Sequence, residues 1–110
     1  MSLYMYQFAY TPDSWAAQMK HPENRVEKVG RSMCDAAGGK FIGGWLSFGE
    51  YDAVLIADMP DEESMAGLAV AIAAGGALKA SKTTKLMTGE QGVEALKKAG
   101  AVAKTYRPAK

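Results

Sequence analysis

Residues 40–59, KFIGGWLSFGEYDAVLIADM, decide the fold of this chain. They contain two apolar runs, 40–48 and 52–59, each of which predicts a β-strand. The residues between the runs, Gly49-Glu50-Tyr51, form a short glycine-containing link of the kind that closes a hairpin. The segment therefore predicts a pair of adjacent antiparallel strands.

Both predicted strands are apolar on both faces, since successive strand residues point to opposite faces of a sheet. In the first run, Phe41 and Trp45 are expected on one face and Ile42, Leu46 and Phe48 on the other. An antiparallel sheet with one face in water would alternate apolar with polar residues instead. We therefore expect helices on one face and a second copy of the chain on the other, which predicts a homodimer.

Upstream of the hairpin, the sequence predicts one strand and two consecutive helices. Residues 3–10 form the strand, and every second residue is aromatic, which places four rings on one face: Tyr4, Tyr6, Phe8 and Tyr10. Thr11 is a capping residue for a helix over 14–20. That helix is interrupted at His21-Pro22, because proline disfavours the helical conformation of the residue before it. A second helix is expected over 23–37.

Downstream of the hairpin, the pattern predicts a helix, a strand and a last helix. An acidic first turn opens the first of these helices, and Gly75-Gly76 ends it. Residues 79–87 predict the strand. A capping box over 88–91 opens the last helix, which is expected to end near Ala99 because Gly100 follows.

The resulting order is β-α-β-β-α-β with an extra C-terminal helix. This order is typical of the ferredoxin-like α+β sandwich, in which both helices cover one face of a four-stranded antiparallel sheet. A chain of 110 residues suits a single hydrophobic core. We therefore expect one domain over residues 1–100 and a loose basic tail over 101–110.

Composition and charge exclude several classes of protein. Thirteen Lys and Arg against twelve Asp and Glu give a net charge of +1, which disfavours a nucleic-acid partner. The one cysteine, Cys34, allows neither an intrachain disulfide nor a zinc site built on a cysteine pair. The apolar run over 65–78 is shorter than the roughly 20 residues of a membrane-spanning helix. We expect a cytoplasmic protein with no metal and with neither nucleic-acid nor membrane partners.

Five residues are candidates for a ligand site: Arg25, Trp45, Tyr51, Asp52 and His21. A carboxylate beside a phenol, joined by a guanidinium and an indole, suits a small aromatic or acidic ligand. Asp52 can instead accept backbone hydrogen bonds in its turn while Tyr51 packs its ring. His21 is either a base near neutral pH or an uninvolved side chain at a helix break. The residues specify no cofactor.

Several segments also occur in the order typical of GYD-domain proteins. These segments are Thr11, Pro22-Glu23-Asn24-Arg25-Val26-Glu27, Gly38-Gly39-Lys40, Gly49-Glu50-Tyr51-Asp52, Pro60-Asp61-Glu62 and Lys82-Thr83-Thr84. The chain resembles that family from about residue 4 to residue 91. The resemblance implies a ferredoxin-like dimer of the dimeric α+β barrel superfamily, in which two copies pair sheet to sheet. It implies no catalytic residue for this chain.

Three functions are compatible with these observations. The first is a homodimeric domain that binds a small aromatic or acidic molecule in a pocket beside the sheet. The second is a small oxygenase-type enzyme, because the barrel superfamily includes small monooxygenases and haem-handling proteins. The third is a pure oligomerisation module, which predicts that side chains fill every pocket. The sequence favours the first function, since no set of residues requires catalysis.

Overall fold

The computed structural model describes residues 2–109 of the chain. Its elements, in chain order, are β1 (Ser2–Tyr10), α1 (Pro12–Lys20), α2 (Arg25–Ala36), β2 (Lys40–Leu46), β3 (Ala53–Met59), α3 (Glu62–Ala74), β4 (Leu78–Lys85) and α4 (Gly89–Ala103). The strands form one antiparallel sheet in the order β2-β3-β1-β4. This confirms the predicted ferredoxin-like α+β fold with an extra C-terminal helix, α1 and α2 together forming the first helical connection.

The predicted row of aromatic rings on β1 forms the centre of the core. Tyr4, Tyr6, Phe8 and Tyr10 are all at most 7% exposed, on the sheet face that α2 and α3 cover. Ring centroids of Tyr6 and Phe8 lie 5.4 Å apart and those of Phe8 and Tyr10 5.5 Å apart. Because β1 pairs with both β3 and β4, these contacts lie in the middle of the sheet.

Side-chain caps begin the helices where the sequence predicts them, with small shifts. The Thr11 hydroxyl accepts a hydrogen bond from the Ser14 N–H of α1 (3.1 Å), and Thr88 with Gln91 forms the predicted capping box of α4. The amide oxygen of Asn24 caps α2, so this helix begins at Arg25, two residues later than expected.

The predicted end of α4 was wrong, because the helix continues through Gly100 to Ala103. A glycine ends a helix when it adopts a positive φ. Among the described residues, only Gly38 and Gly76 are glycines with positive φ. Gly100 therefore stays helical, and the first three residues of the expected tail belong to α4.

A bulge in β2 overturns the predicted faces of that strand. Phe41 pairs with Ala57 but Gly43 pairs with Ile56, so one extra residue is inserted between them. An inserted residue reverses the alternation of every side chain after it. Trp45, which pairs with Val54, consequently lies on the face opposite Phe41 and is 57% exposed. The strand also ends before Phe48, which adopts a positive φ of 48° in the turn.

The sheet face that carries no helix is largely apolar. We call it the open face; its apolar residues are Leu3, Met5, Ile42, Trp45, Val54 and Ile56, and its polar residues include Gln7, Asp58, Lys82 and Thr84. The two-sided apolarity expected from the sequence is therefore present, although the bulge changes which residues of β2 provide it. None of the helices within residues 2–109 combines the length and apolarity needed to cross a membrane.

Two glycines allow α2 to lie close to β2. A Cβ added at Gly30 would lie 2.7 Å from Cε1 of Phe41, and one added at Gly44 would lie 2.5 Å from Cγ1 of Val26. Real Cβ atoms do not approach this closely. The absence of these two side chains is therefore what lets the Phe41 ring pack between helix and strand.

We expect Gly30→Ala to lower the free energy of unfolding by about 1–2 kcal/mol, even though alanine is the better helix former, because the new methyl group overpacks against Phe41. Gly67→Ala is the matched control, since a Cβ at Gly67 of α3 meets nothing within 4 Å. This control should raise stability by about 0.5–1 kcal/mol. Urea denaturation measures both, and equal effects of the two variants would contradict the close contact.

Candidate functional site

Several loops meet at one end of the sheet, which we call the hairpin end. Oδ2 of Asp52 accepts a hydrogen bond from the Tyr10 backbone N–H (2.8 Å), and the Asp52 N–H donates to the Phe8 carbonyl (2.9 Å). The Thr11 N–H donates to the Ala77 carbonyl (2.9 Å). The end of β1 is thus bound to the β2–β3 turn on one side and to the segment before β4 on the other.

A polar cleft of about 490 Å³ opens at the hairpin end. Its walls come from α1, from the junction between α1 and α2, and from the loop before β4; they include Ser14, Gln18, His21, Glu23, Arg25 and Gly76. Arg25 is exposed, and among residues 2–109 its side chain takes part in no ion pair or side-chain hydrogen bond. A free guanidinium in a polar cleft can bind a carboxylate or a phosphate.

A small chamber of about 70 Å³ adjoins the cleft, since Arg25 and Ala77 line both. Aromatic side chains from β1 and apolar ones from α2 and α3 form its walls, including Tyr6, Phe8, Tyr10, Val26 and Ile72. Tyr6 is completely buried, yet its hydroxyl has no hydrogen-bond partner. A buried hydroxyl without a partner is costly, and a ligand or water in the adjoining space would remove that cost.

Tyr10 is protonated in the chamber, and Arg25 places one positive charge where the chamber meets the cleft. Burial raises the pKa of Tyr10, the nearby Arg25 guanidinium opposes that rise, and Asp52 adds to it. The Tyr10 hydroxyl is therefore a neutral hydrogen-bond donor at physiological pH. Tyr10 lines the chamber, and the positive charge of Arg25 acts on this phenol. An anion bound there would therefore lie close to both a cation and a phenol.

The structure separates the five residues predicted for the site. Arg25 and His21 line the cleft, whereas Trp45 lies on the open face. Asp52 stands at the hairpin end and accepts a backbone hydrogen bond, but the donor is Tyr10 of β1 and not a residue of its own turn. Tyr51 lies in the turn, where its carbonyl accepts hydrogen bonds from the Ser47 hydroxyl and the Gly49 N–H. A ligand-binding role for these residues stays a prediction.

The alternation in residues 3–10 predicted a row of four rings on one face of β1, but not which of these rings border a void. Period-2 alternation identifies the row but contains no information about the space left between rings and helices. Tyr6 and Tyr10 are therefore site residues that the sequence did not single out. Within residues 2–109, no group of three His, Cys, Asp or Glu side chains converges in a way that could hold a metal ion.

A family model described as "GYD domain" matches residues 4–105 of the 110-residue chain. No curated protein matches the chain.

We expect Asp52→Asn to lower the free energy of unfolding by about 1 kcal/mol, because the bond from the Tyr10 N–H loses its charged acceptor while the shape is kept. Asp35→Asn, at an exposed position near the end of α2, is the matched control and should change stability by less than about 0.5 kcal/mol. Thermal denaturation measures both variants. Indistinguishable midpoints would show that the carboxylate has no structural role.

Proposed function

The chain belongs to the GYD domain family, and we propose that it binds a small carboxylic acid at the hairpin end. The observation that carries this proposal is that one small space is bordered by a tyrosine with an unpartnered hydroxyl and by an unpaired guanidinium. Tyr6, whose hydroxyl is buried without a partner, lines the chamber, and the exposed Arg25 stands where the chamber meets the cleft. A ligand with an anionic group and a hydrogen-bonding atom would satisfy both.

The sizes of the two spaces favour an acid with a compact apolar end. The chamber, at about 70 Å³, is less than half of the roughly 150 Å³ that an apolar cavity offers when it binds benzene. A short alkyl group fits such a space better than an aromatic ring. The cleft, at about 490 Å³, leaves room for a polar remainder between α1 and the loop before β4.

The two alternative functions receive less support. A pure oligomerisation module needs no internal space, whereas the chamber leaves a buried tyrosine hydroxyl without a partner. An oxygenase-type enzyme needs a reacting group held beside the substrate. The histidine His21 is exposed and lines the cleft but not the chamber, and the Asp52 carboxylate is already bonded to the Tyr10 backbone N–H. Binding is therefore the function that these observations favour.

The same proposal includes a second copy of the chain on the open face. Ile42 and Trp45 are 53% and 57% exposed there, and they adjoin the apolar residues of β1 and β3. Contiguous apolar patches of this kind are rare on monomeric proteins. Two sheets packed face to face would bury both patches in one symmetric, self-complementary contact. We therefore expect the protein to act as a homodimer. We also expect it to act in the cytoplasm.

For ligand binding, we expect 2-methylpropanoate to shift the backbone amide resonances of residues around the chamber and cleft in two-dimensional NMR titrations. Its neutral amide, 2-methylpropanamide, should bind at least tenfold more weakly than the acid, because it has no negative charge to pair with Arg25. Arg25→Gln should weaken acid binding by at least tenfold for the same reason. Arg31→Gln, which alters an arginine of α2 already paired with Glu27, is the control and should bind the acid normally.

Equal binding of the acid and the amide would reject the role of Arg25. An Arg25→Gln protein that still binds the acid with wild-type affinity would do the same. If neither probe shifts any resonance of the wild-type protein at 50-fold excess over protein, the proposal of a compact acid is wrong.

For the second copy, we expect the wild-type protein to scatter light as a dimer across a hundredfold range of concentration. Ile56→Lys should raise the dimer dissociation constant at least tenfold, because it places a charge in the centre of the open face. Met19→Lys makes the same kind of change at a 74%-exposed position of α1 and is the control. A wild-type monomer throughout the range would refute the dimer.

A further inference from the structure

The C-terminal helix α4 stands apart from the rest of its own chain. None of its residues is buried, although the helix contains Val93, Leu96 and Val102. The direction in which α4 leaves the sheet is constrained by hydrogen bonds on both sides of a single residue, Met87. The Leu86 N–H donates to the Leu3 carbonyl (2.9 Å), which holds the chain to the sheet, and the capping box begins the helix at Thr88. The molecule accordingly extends over 59 Å in its longest dimension.

One side of α4 is apolar along its whole length. Helical spacing of three and four residues brings the apolar and small residues onto one side, which we call the α4 stripe: Gly92, Val93, Leu96, Ala99, Gly100 and Ala103. Glu90, Glu94 and Lys97 fall on the opposite side. Leu96, at the middle of the stripe, is 73% exposed. A stripe of this kind is normally packed against another element.

A matching groove lies between α3 and β4. It has a volume of about 490 Å³ and is lined by Tyr4, Met65, Ala66, Ala69, Val70 and Thr83, with Glu62 and Lys85 at one end. The outer side of α3 carries no charged residue after Glu63, yet Val70 is 67% exposed. The Tyr4 hydroxyl is buried beside this groove without a hydrogen-bond partner. The groove is therefore as apolar as a contact inside a protein, but no element of the described chain covers it.

We propose that α4 of a second copy lies in this groove, antiparallel to α3, so that the two copies exchange their C-terminal helices. This inference rests on the dimer proposed above and adds a second contact to it. The two helices have matching lengths, since 15 and 13 residues extend about 22 and 20 Å. A two-fold symmetric pair gives each copy one α4 to donate and one groove to fill, so the assembly closes at two chains.

The charges at the ends of α3 and α4 favour an antiparallel over a parallel orientation of the two helices. The first turn of α3 carries Asp61, Glu62 and Glu63, whereas Lys104 and Arg107 follow the end of α4. Burial raises the pKa of Tyr4, and the charges of Glu62, Asp61 and Glu63 raise it further, so the negative potential of that turn reaches the groove. An antiparallel α4 places its basic end against this acidic turn. A parallel helix would bring Glu90 and Glu94 there instead.

Cysteine cross-linking between two differently tagged chains tests the exchange. In the antiparallel arrangement the midpoint of α4, Leu96, comes beside the exposed Val70 of α3. Val70→Cys chains mixed with Leu96→Cys chains should form a mixed disulfide under mild oxidation, since the bond requires the two Cα atoms to approach within about 7 Å. The native thiol of Cys34 does not compete, because it is fully buried and burial raises its pKa.

A second pair of variants measures the energy of the contact. Leu96→Glu places a charge on the α4 stripe and should raise the dimer dissociation constant at least tenfold. Ala101→Glu lies outside the α4 stripe, one turn after Lys97 and Lys98, and should leave that constant within twofold. The Glu62→Lys/Glu63→Lys double variant should also raise the dimer dissociation constant. Adding Lys104→Glu and Arg107→Glu to it should recover at least half of the lost free energy of dimerisation, because the charges on both sides of the contact are then reversed.

The outcomes separate this inference from the proposed dimer. A wild-type monomer overturns both. A dimer that gives no mixed disulfide, or equal effects of Leu96→Glu and Ala101→Glu, overturns only the helix exchange. Disulfides between two Leu96→Cys chains, in place of the mixed product, would show that the α4 helices pair with each other. A monomeric disulfide in the Val70→Cys/Leu96→Cys double variant, without mixed products from the single variants, would show that α4 folds onto its own chain.

Discussion

The packing of four aromatic rings on one face of β1 is the interaction on which the rest of this structure depends. β1 lies between β3 and β4, so its rings occupy the middle of the covered face and share one core with side chains of α2 and α3. Burying a large apolar side chain contributes about 1.5–3 kcal/mol, and neighbouring rings in tilted and edge-on contact add to this. The helices α2 and α3 lie where they do because this row is the largest apolar surface the chain can cover.

The same rings explain why a chamber exists at the hairpin end. Rings are rigid and do not collapse into gaps as aliphatic chains do, and Gly30, which lines the chamber, provides no side chain to fill it. Three of the four rings are tyrosines, which bring hydroxyl groups into the interior. A core made only for packing would use phenylalanine at Tyr6, where the hydroxyl has no partner. A ligand that forms a hydrogen bond with this hydroxyl would offset the cost of burying it, which supports the binding function that we propose.

Three apolar surfaces have no partner among residues 2–109: the open face, the groove beside α3 and the α4 stripe. A chain of 110 residues has a high ratio of surface to volume, and one layer of helices cannot cover both faces of its sheet. The direction of α4 also prevents it from covering either surface of its own chain in this structure. A symmetric second copy is the simplest arrangement that would bury all three surfaces at once, and it is the one that we propose.

Local patterns in the sequence were sufficient to predict the elements and their order. The alternation in residues 3–10 predicted the ring row, and Thr11, Thr88 and Gln91 predicted helix starts, because capping depends on residues three positions apart. The faces of β2 and the end of α4 could not be predicted in the same way. A bulge depends on how a strand fits its neighbour, and Gly100 can continue a helix or end it with equal ease.

For the candidate site, the sequence by itself determined that Arg25 and His21 stand near the helix break and that Tyr51 and Asp52 lie where the hairpin turn meets its second strand. Only the tertiary structure decided that Arg25 shares a chamber with Tyr6 and Tyr10 while Trp45 lies on the other side of the sheet. The physical reason is that a cavity is the space left over after rings, helices and a bulge have packed. That space belongs to no single segment of the chain, whereas strand alternation and helix capping do.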